Sequence, residues 1–264
     1  MTSEPSPAVA TPGVARDVVL QAFNAMLQPE RFKDYGPNGL QVEGRADIRK
    51  IVSGVTASRA LIEAAIAAEA DAVFVHHGLF WRGQDGSVTG WMKQRLALLL
   101  AHDVNLFAYH LPLDAHPLWG NNAQLGRVLG LQAEARFGEQ DLGFVGGWAD
   151  GFAPLTEPEM ARHLERRLGR SPVSVGGAHG PISRIAWCSG GAQGYFEAAI
   201  ATGAQAFITG EISEPQAHLA RECGVSFFAC GHHATERFGA PAVAAQVASD
   251  LGLAHAFIDI GNPA

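Results

Sequence analysis

Histidines and carboxylates recur just after three separate apolar runs: His76 with His77, His110 with Asp114, and His232 with Glu236. Imidazole nitrogens and carboxylate oxygens together are ligands that suit first-row divalent metals. Six such side chains exceed the four ligands of an ordinary tetrahedral zinc and fit a two-metal centre, whose ions typically sit about 3.5–4 Å apart and activate water at neutral pH. The chemistry this implies is metal-assisted hydrolysis. The mixed ligand set leaves Zn, Fe, Mn, Ni and Co all open as the ion.

Each pair needs a particular backbone to work. If a helix begins near His232, that residue and Glu236, four positions on, share one face and can hold one metal. Adjacent residues of a strand point to opposite faces, so His76 and His77 can converge only where the strand ends; Gly78 permits a turn there, and the two rings can then serve two different ions. Pro112 keeps the segment from His110 to Asp114 extended or turning, so both can enter a common cleft. Asn122 is the expected N-cap of a helix over 122–129. Taken singly, each pair also fits a plain structural role, such as a capping histidine or a polar loop; their coincidence after three strands is what favours a metal site.

The runs that precede the pairs read as buried strands: 72–75, 105–109 and 225–230. Open α/β sheets bind ligands at the carboxyl ends of their strands, where all three pairs fall. The order strand, helix, strand, helix, strand occurs twice. Ile51 to Ala57 matches Ile185 to Gly191, Ala64 to Ala67 matches Ala198 to Ala201, and 72–75 matches 206–209, with the second strands ending at His77 and Glu211. Such repetition indicates a duplicated α/β fold of two related lobes, with a further helix over 158–167 belonging to the second. The lobes are expected at 14–128 plus 226–264 and at 129–225, with residues 1–13, rich in Pro, Ser, Thr and Ala, as a flexible tail.

Composition narrows the function classes. The chain has 264 residues, 47% hydrophobic and 17% charged, and a net charge of −7. No run of Lys or Arg marks a nucleic-acid footprint, so binding to nucleic acid is disfavoured. No apolar stretch approaches the ~20 residues that span a bilayer and no secretory signal is present, which makes the cytoplasm the expected compartment. Cys188, Cys223 and Cys230 form no metal-type pair and read as buried free thiols. The Gly-rich segment 189–194 follows a strand and opens a helix, so its amides are candidates to cradle an anion, although a plain strand-to-helix turn is the favoured reading. Asn38, in the turn 35–41, reads as a residue that holds its own turn. No nucleophile-elbow signature supports serine catalysis.

Gly-Leu-Gln-Val at 39–42, His-His-Gly at 76–78, His-Leu-Pro-Leu-Asp at 110–114, Asn-Asn-Ala at 121–123, Ser-Gly-Gly at 189–191, Thr-Gly-Glu at 209–211 and Gly-His-His-Ala-Thr-Glu at 231–236 closely resemble the Nif-three-like dinuclear metal-centre family, whose members are often labelled GTP cyclohydrolase 1 type 2 homologues. The resemblance covers essentially the whole chain from Val14. It implies two similar, interdigitated three-layer α/β/α lobes, two divalent ions in the cleft and assembly into a toroidal homohexamer. The ligand positions it implies are His76, His77, His110, Asp114, His232 and Glu236. Many members carry a tyrosine where this chain has His233, a change that leaves the ligand set intact and makes His233 a candidate proton relay beside Glu236. The expectation is a dinuclear metal-dependent hydrolase in which a hydroxide bridging the ions attacks a small-molecule substrate. The competing expectation is a ring that acts as a scaffold or interaction module, with ions that are purely structural.

Overall fold

The computed structural model describes residues 13–177 and 179–264; of the expected tail over 1–13, only Gly13 lies among them. In chain order the first part contains β1 (Val14–Ala15), α1 (Arg16–Leu27), β2 (Gly39–Val42), β3 (Asp47–Ile48), β4 (Lys50–Thr56), α2 (Arg59–Ala67), β5 (Ala72–His77), α3 (Gly90–Ala101), β6 (Asn105–Ala108), α4 (Leu111–Ala115) and α5 (Asn121–Leu129). There follow β7 (Leu131–Phe137), β8 (Gly143–Trp148), α6 (Glu157–Leu168), β9 (Val173–Val175), β10 (Ile185–Trp187), α7 (Phe196–Ala201), β11 (Ala206–Thr209), α8 (Glu214–Cys223) and β12 (Ser226–Ala229). The chain closes with α9 (His232–Glu236), α10 (Gly239–Leu251) and β13 (Ala254–Phe257).

Two larger sheets result, with strand orders β13-β4-β5-β6-β2 and β7-β8-β10-β11-β12-β9. Each is built around three consecutive parallel strands, β4-β5-β6 and β10-β11-β12; β13 extends the first set in parallel on β4, while β2, β8 and β9 are added antiparallel. This is the duplication written in the sequence repeats. The central strands are buried on both faces, as parallel strands sandwiched by helices must be. In β5, Val73 and Val75 pack with Leu61, Ile62 and Leu99 of α2 and α3, while Phe74 turns the other way onto Phe23 of α1, ring centroids 4.5 Å apart. In β12, Phe227 and Phe228 likewise face opposite layers. Both sheets are therefore the middle of three layers, and the fold is a mixed α/β architecture of two similar lobes.

The expected boundary at residue 226 is displaced. β12 pairs in parallel with β11, Ile208 opposite Phe228, so 226–229 belongs to the second sheet, and the chain returns to the first lobe only with α10, whose Val243 and Val247 pack beside Phe23 and Phe74. α5, expected in the first lobe, lays Leu125 and Leu129 against Trp187 of the second. These crossings interdigitate the lobes, since both segments bury their apolar side chains against the second sheet. The helix expected over 158–167 is α6, held by a Thr156–Glu159 capping box and ended at Gly169 in a left-handed conformation. Cys188 and Cys230 are buried, whereas Cys223, at the end of α8, is exposed. Among the described residues, no helix is long and apolar enough to cross a membrane.

Candidate metal centre

The parallel strands of the two sheets deliver their carboxyl ends to one cleft. β5 ends in His76 and His77, His110 follows β6, and Gly231 with φ +96° turns the chain after β12 into the short helix α9 that starts at His232. The two neighbouring histidines converge because β5 ends there. Their rings lie 4.4 Å apart, tilted 44°. Gly78 is required for close approach rather than for an unusual φ: a Cβ there would sit 2.3 Å from Gln41 Oε1, the atom that accepts the Leu79 N–H at 2.8 Å and fixes the turn.

All six sequence-derived candidates meet. His76 Nε2 lies 3.3 Å from Glu236 Oε1 and 3.6 Å from Asp114 Oδ1, while His77 and His232 place Nε2 3.2 Å and 3.1 Å from Glu236 Oε2. His232 and Glu236 do so as i and i+4 of α9. His110 closes the ring, its centroid 4.9 Å from that of His76. Three overlapping ligand groups follow: His76-His77-His110, His77-His232-Glu236 and His76-Asp114-Glu236.

Each imidazole is oriented by what its other nitrogen touches. His76 Nδ1 donates to the Tyr109 carbonyl (3.2 Å), His110 Nδ1 to Asp34 (2.7 Å) and His232 Nδ1 to Glu211 (2.6 Å), and His77 Nδ1 pairs with the Thr56 hydroxyl (3.0 Å). A carbonyl or carboxylate can only accept, so the proton sits on Nδ1 and the Nε2 lone pair points at the cluster. Fixing a ring in this way is how a supporting hydrogen bond readies a metal ligand. Asp114 is held by Asn121 Nδ2 (2.9 Å) and by the Ser189 hydroxyl (3.3 Å).

The donor set fits a divalent metal. His76 Nε2 and Glu236 Oε2 are buried and have no hydrogen-bond partner among the described residues, a costly state unless an ion takes both lone pairs. Nitrogen–oxygen gaps near 3.3 Å match two ligands about 2.0–2.1 Å from one tetrahedral ion. The electrostatics agree. Burial by itself would raise the Glu236 carboxyl, but His76, His77 and His232 hold it well below the usual range. Burial would lower His76, but Asp114 and Glu236 lift it to about 9; His232 is lifted to about 9 chiefly by the adjoining Glu236 carboxylate. Burial and the neighbouring His76 push His77 down to about 3. Without a metal, the cluster thus holds protons that a cation would displace.

A cavity of about 310 Å3 opens beside the cluster, lined by His110, Asp114, His232 and Glu236 together with Tyr35, Leu142 and Tyr195. The sequence pattern of the family described as Duf34/NIF3 (NGG1p interacting factor 3) matches residues 14–263. The chain belongs to the Duf34/NIF3 family. A relative named GTP cyclohydrolase 1 type 2 homolog, from Neisseria meningitidis serogroup B, is 53% identical over 91% of this chain and 96% of its own. A relative of the same name from Escherichia coli K12 is 47% identical over 92% of this chain and 97% of its own. The solved structure described as protein ybgI, of unknown function, superimposes over 95% of this chain and 100% of its own with a TM-score of 0.91 at 45% identity. TTHA1606 from Thermus thermophilus does so over 95% and 100% with a TM-score of 0.85 at 33% identity.

In this Duf34/NIF3 chain several expected roles change. His233 turns away from the cluster: its Nε2 bonds Asp259 at 2.8 Å and its backbone N–H donates to the Ala264 carbonyl. It lines no part of the cavity, so the geometry does not support a proton relay through it, because its helical neighbours His232 and Glu236 occupy the face that looks into the cleft. Of the amides expected to cradle an anion, those of Ser189 and Gly190 are occupied, with Ser189 N–H donating to Asn122 Oδ1 (2.7 Å) and Gly190 N–H to Thr235 Oγ1 (2.9 Å). Gly120, rather than Asn122, sits at the N-cap of α5, because the Asn122 amide is drawn inward to the Asp114 and Leu142 carbonyls. Asn38 binds the His110 N–H and Asp34 in addition to any role in its own turn. Asp34, which sequence reasoning passed over, accepts from both His110 Nδ1 and Leu111 N–H. Its only signal was a place one residue before the turn 35–41.

Proposed function

We propose that this Duf34/NIF3 protein is a hydrolase that works with two divalent metal ions. The observation that carries this reading is the position of Glu236 between two ligand groups, Oε1 towards His76 and Asp114, Oε2 towards His77 and His232, beside an open cavity. His110 adds a further nitrogen on the His76-His77 side. When bound, such ions supply Lewis-acid polarisation of the scissile group and activation of water near neutral pH. The chain's part is to hold the charges and place the substrate. Glu236 and Asp114 are the anions that balance the ions, while Asp34 and Glu211 keep two imidazoles in the ligating tautomer. Tyr35, Leu142 and Tyr195 offer apolar and aromatic walls to a small molecule, and the side of the cluster facing the cavity favours an enzyme over a sealed structural site.

The relatives' name points towards opening of a purine-type ring. Cyclic amides and amidines, other amides and phosphoesters are the substrate classes we propose to test. We further propose a homohexamer, checked by light scattering of the eluting protein, and a cytoplasmic location.

The experiment is a hydrolase panel of these classes run on protein stripped of metal and reconstituted with Zn, Mn, Fe, Co or Ni, beside Glu236→Gln. Turnover that requires metal and disappears in the variant supports the proposal. Full metal occupancy with no turnover across the panel moves the reading to the non-catalytic scaffold.

A further inference from the structure

A second, larger cavity of about 630 Å3 lies on the other side of α4 from the metal cluster, and no metal-ligand candidate lines it. Its polar donors come from three separate elements. Among the described residues Arg31, exposed in the turn Pro29–Arg31, uses only Nη1 of its guanidinium, on Gln28 Oε1 at 2.8 Å. Arg136, on β7, uses only Nη1, on the carbonyls of Ala115 (2.9 Å) and Asp141 (3.2 Å), with its guanidinium carbon 3.8 Å from the centre of the Phe144 ring. Among the described residues its Nε and Nη2 have no protein partner. His116 Nδ1 accepts the backbone N–H groups of Leu118 (3.3 Å) and Trp119 (3.0 Å), which puts the imidazole proton on Nε2 and leaves it as a donor.

Around these donors the wall is apolar, with Leu27, Phe32 and Pro112 prominent, and Asp141 is the only carboxylate. Two arginines against one acid make this a positive hollow on a chain whose net charge is −7. Guanidinium groups with free N–H edges match carboxylate, sulfonate and phosphate oxygens, and an apolar wall beside them suits the organic body of such an anion.

The rim bears a further mark of a binding site. Gln140 and Asp141, both non-glycine, have φ of 53° and 57°, a left-handed pair of the kind that persists only where surroundings enforce it and that gathers at ligand clamps. The Gln140 amide enforces it here. It accepts the Lys33 N–H (2.8 Å) and donates to the Lys33 carbonyl (3.2 Å), tying the turn 138–141 to the first lobe and forming the wall shared with the metal cavity.

We propose that this second cavity binds a small organic anion, an acidic oxygen group on an apolar body, through Arg31, His116 and Arg136. The site is separate from the metals and does not depend on the hydrolase reading.

The test is titration calorimetry of the full-length protein as purified with benzenesulfonate, an anion that ligates divalent metals poorly, and with benzyl alcohol as the uncharged control. Saturable binding of benzenesulfonate, weakened by rising salt, at least tenfold weaker in Arg31→Ala and abolished in Arg31→Glu, is expected. Benzyl alcohol should show no saturable binding. Arg31 is exposed and holds only Gln28, so both variants should keep the fold. Absence of binding to the wild type, equal binding by the Arg31 variants, or binding that is lost with EDTA yet indifferent to Arg31 would overturn the proposal.

Discussion

Gly190 is the position at which one methyl group should dismantle the candidate metal centre. Its φ of +67° lies in the left-handed region, and a Cβ there would stand 2.0 Å from Glu236 Oε1 and 3.2 Å from His232 Nε2. Non-bonded heavy atoms rest at roughly 3.5 Å, so something must move by roughly 1.5 Å. The backbone has little room to do so. Gly190 N–H donates to Thr235 Oγ1, and its carbonyl accepts from Gly210 N–H (2.8 Å) and Thr209 Oγ1 (3.1 Å). The carboxylate therefore yields, and it is the candidate ligand common to the His77-His232 and His76-Asp114 groups. Displacing a ligand should weaken metal binding by at least the ~10–100-fold that follows loss of a supporting partner. The left-handed alanine adds ~1–2 kcal/mol of strain, a fall in Tm of about 2–8 °C at ~2–4 °C per kcal/mol. Metal content of Gly190→Ala after dialysis against graded chelator, beside calorimetric melting, measures both effects. Wild-type metal retention and an unchanged Tm would refute the steric argument.

Other outcomes follow from neighbouring contacts. Asp34→Ala leaves His110 Nδ1 and Leu111 N–H without their acceptor, so metal affinity measured by chelator competition should fall ~10–100-fold while the fold persists by circular dichroism. Asn121 is buried between Asp114 Oδ1 and the Gly239 N–H; Asn121→Leu should cost ~1–3 kcal/mol in denaturant unfolding for the partners left unsatisfied. Burial holds His116, His163 and His255 below the ordinary imidazole value of 6.5. The unfolded chain then takes up protons first at these three positions, so their contribution to stability should be full above pH 6.5 and be lost as pH falls below it. His163→Gln should reduce that acid-side slope in urea unfolding measured across pH, and an identical slope would argue against this cause. Stripping metal with chelator should lower Tm, because it leaves buried groups such as His76 Nε2 without a partner.

Much of this was legible in the chain because strand ends are legible. An apolar run followed by His, Asp or Glu places a ligand at a sheet's carboxyl edge, and the i, i+4 spacing of His232 and Glu236 aligns them on one helical face by local geometry alone. The repeated strand–helix units foretold two sheets with parallel centres. Ownership of shared segments was harder to read. Phe227 and Phe228 would suit either lobe, and only pairing with β11 decides between them. The supports of the cluster were also hidden, since Asp34 meets His110 across 76 positions of sequence and no local spacing announces such a contact. His233 misled for a related reason: a histidine between two ligands looks functional in one dimension, yet on a helix the next residue points elsewhere, here to Asp259.

The most direct test of the central claim is anomalous diffraction from crystals of the purified protein, collected above and below the absorption edge of each metal found in it. Two peaks per chain, one on each side of Glu236 and within bonding distance of the Nε2 atoms, are predicted. A single peak, or ions bound away from these histidines, would contradict the dinuclear centre on which the proposed function rests.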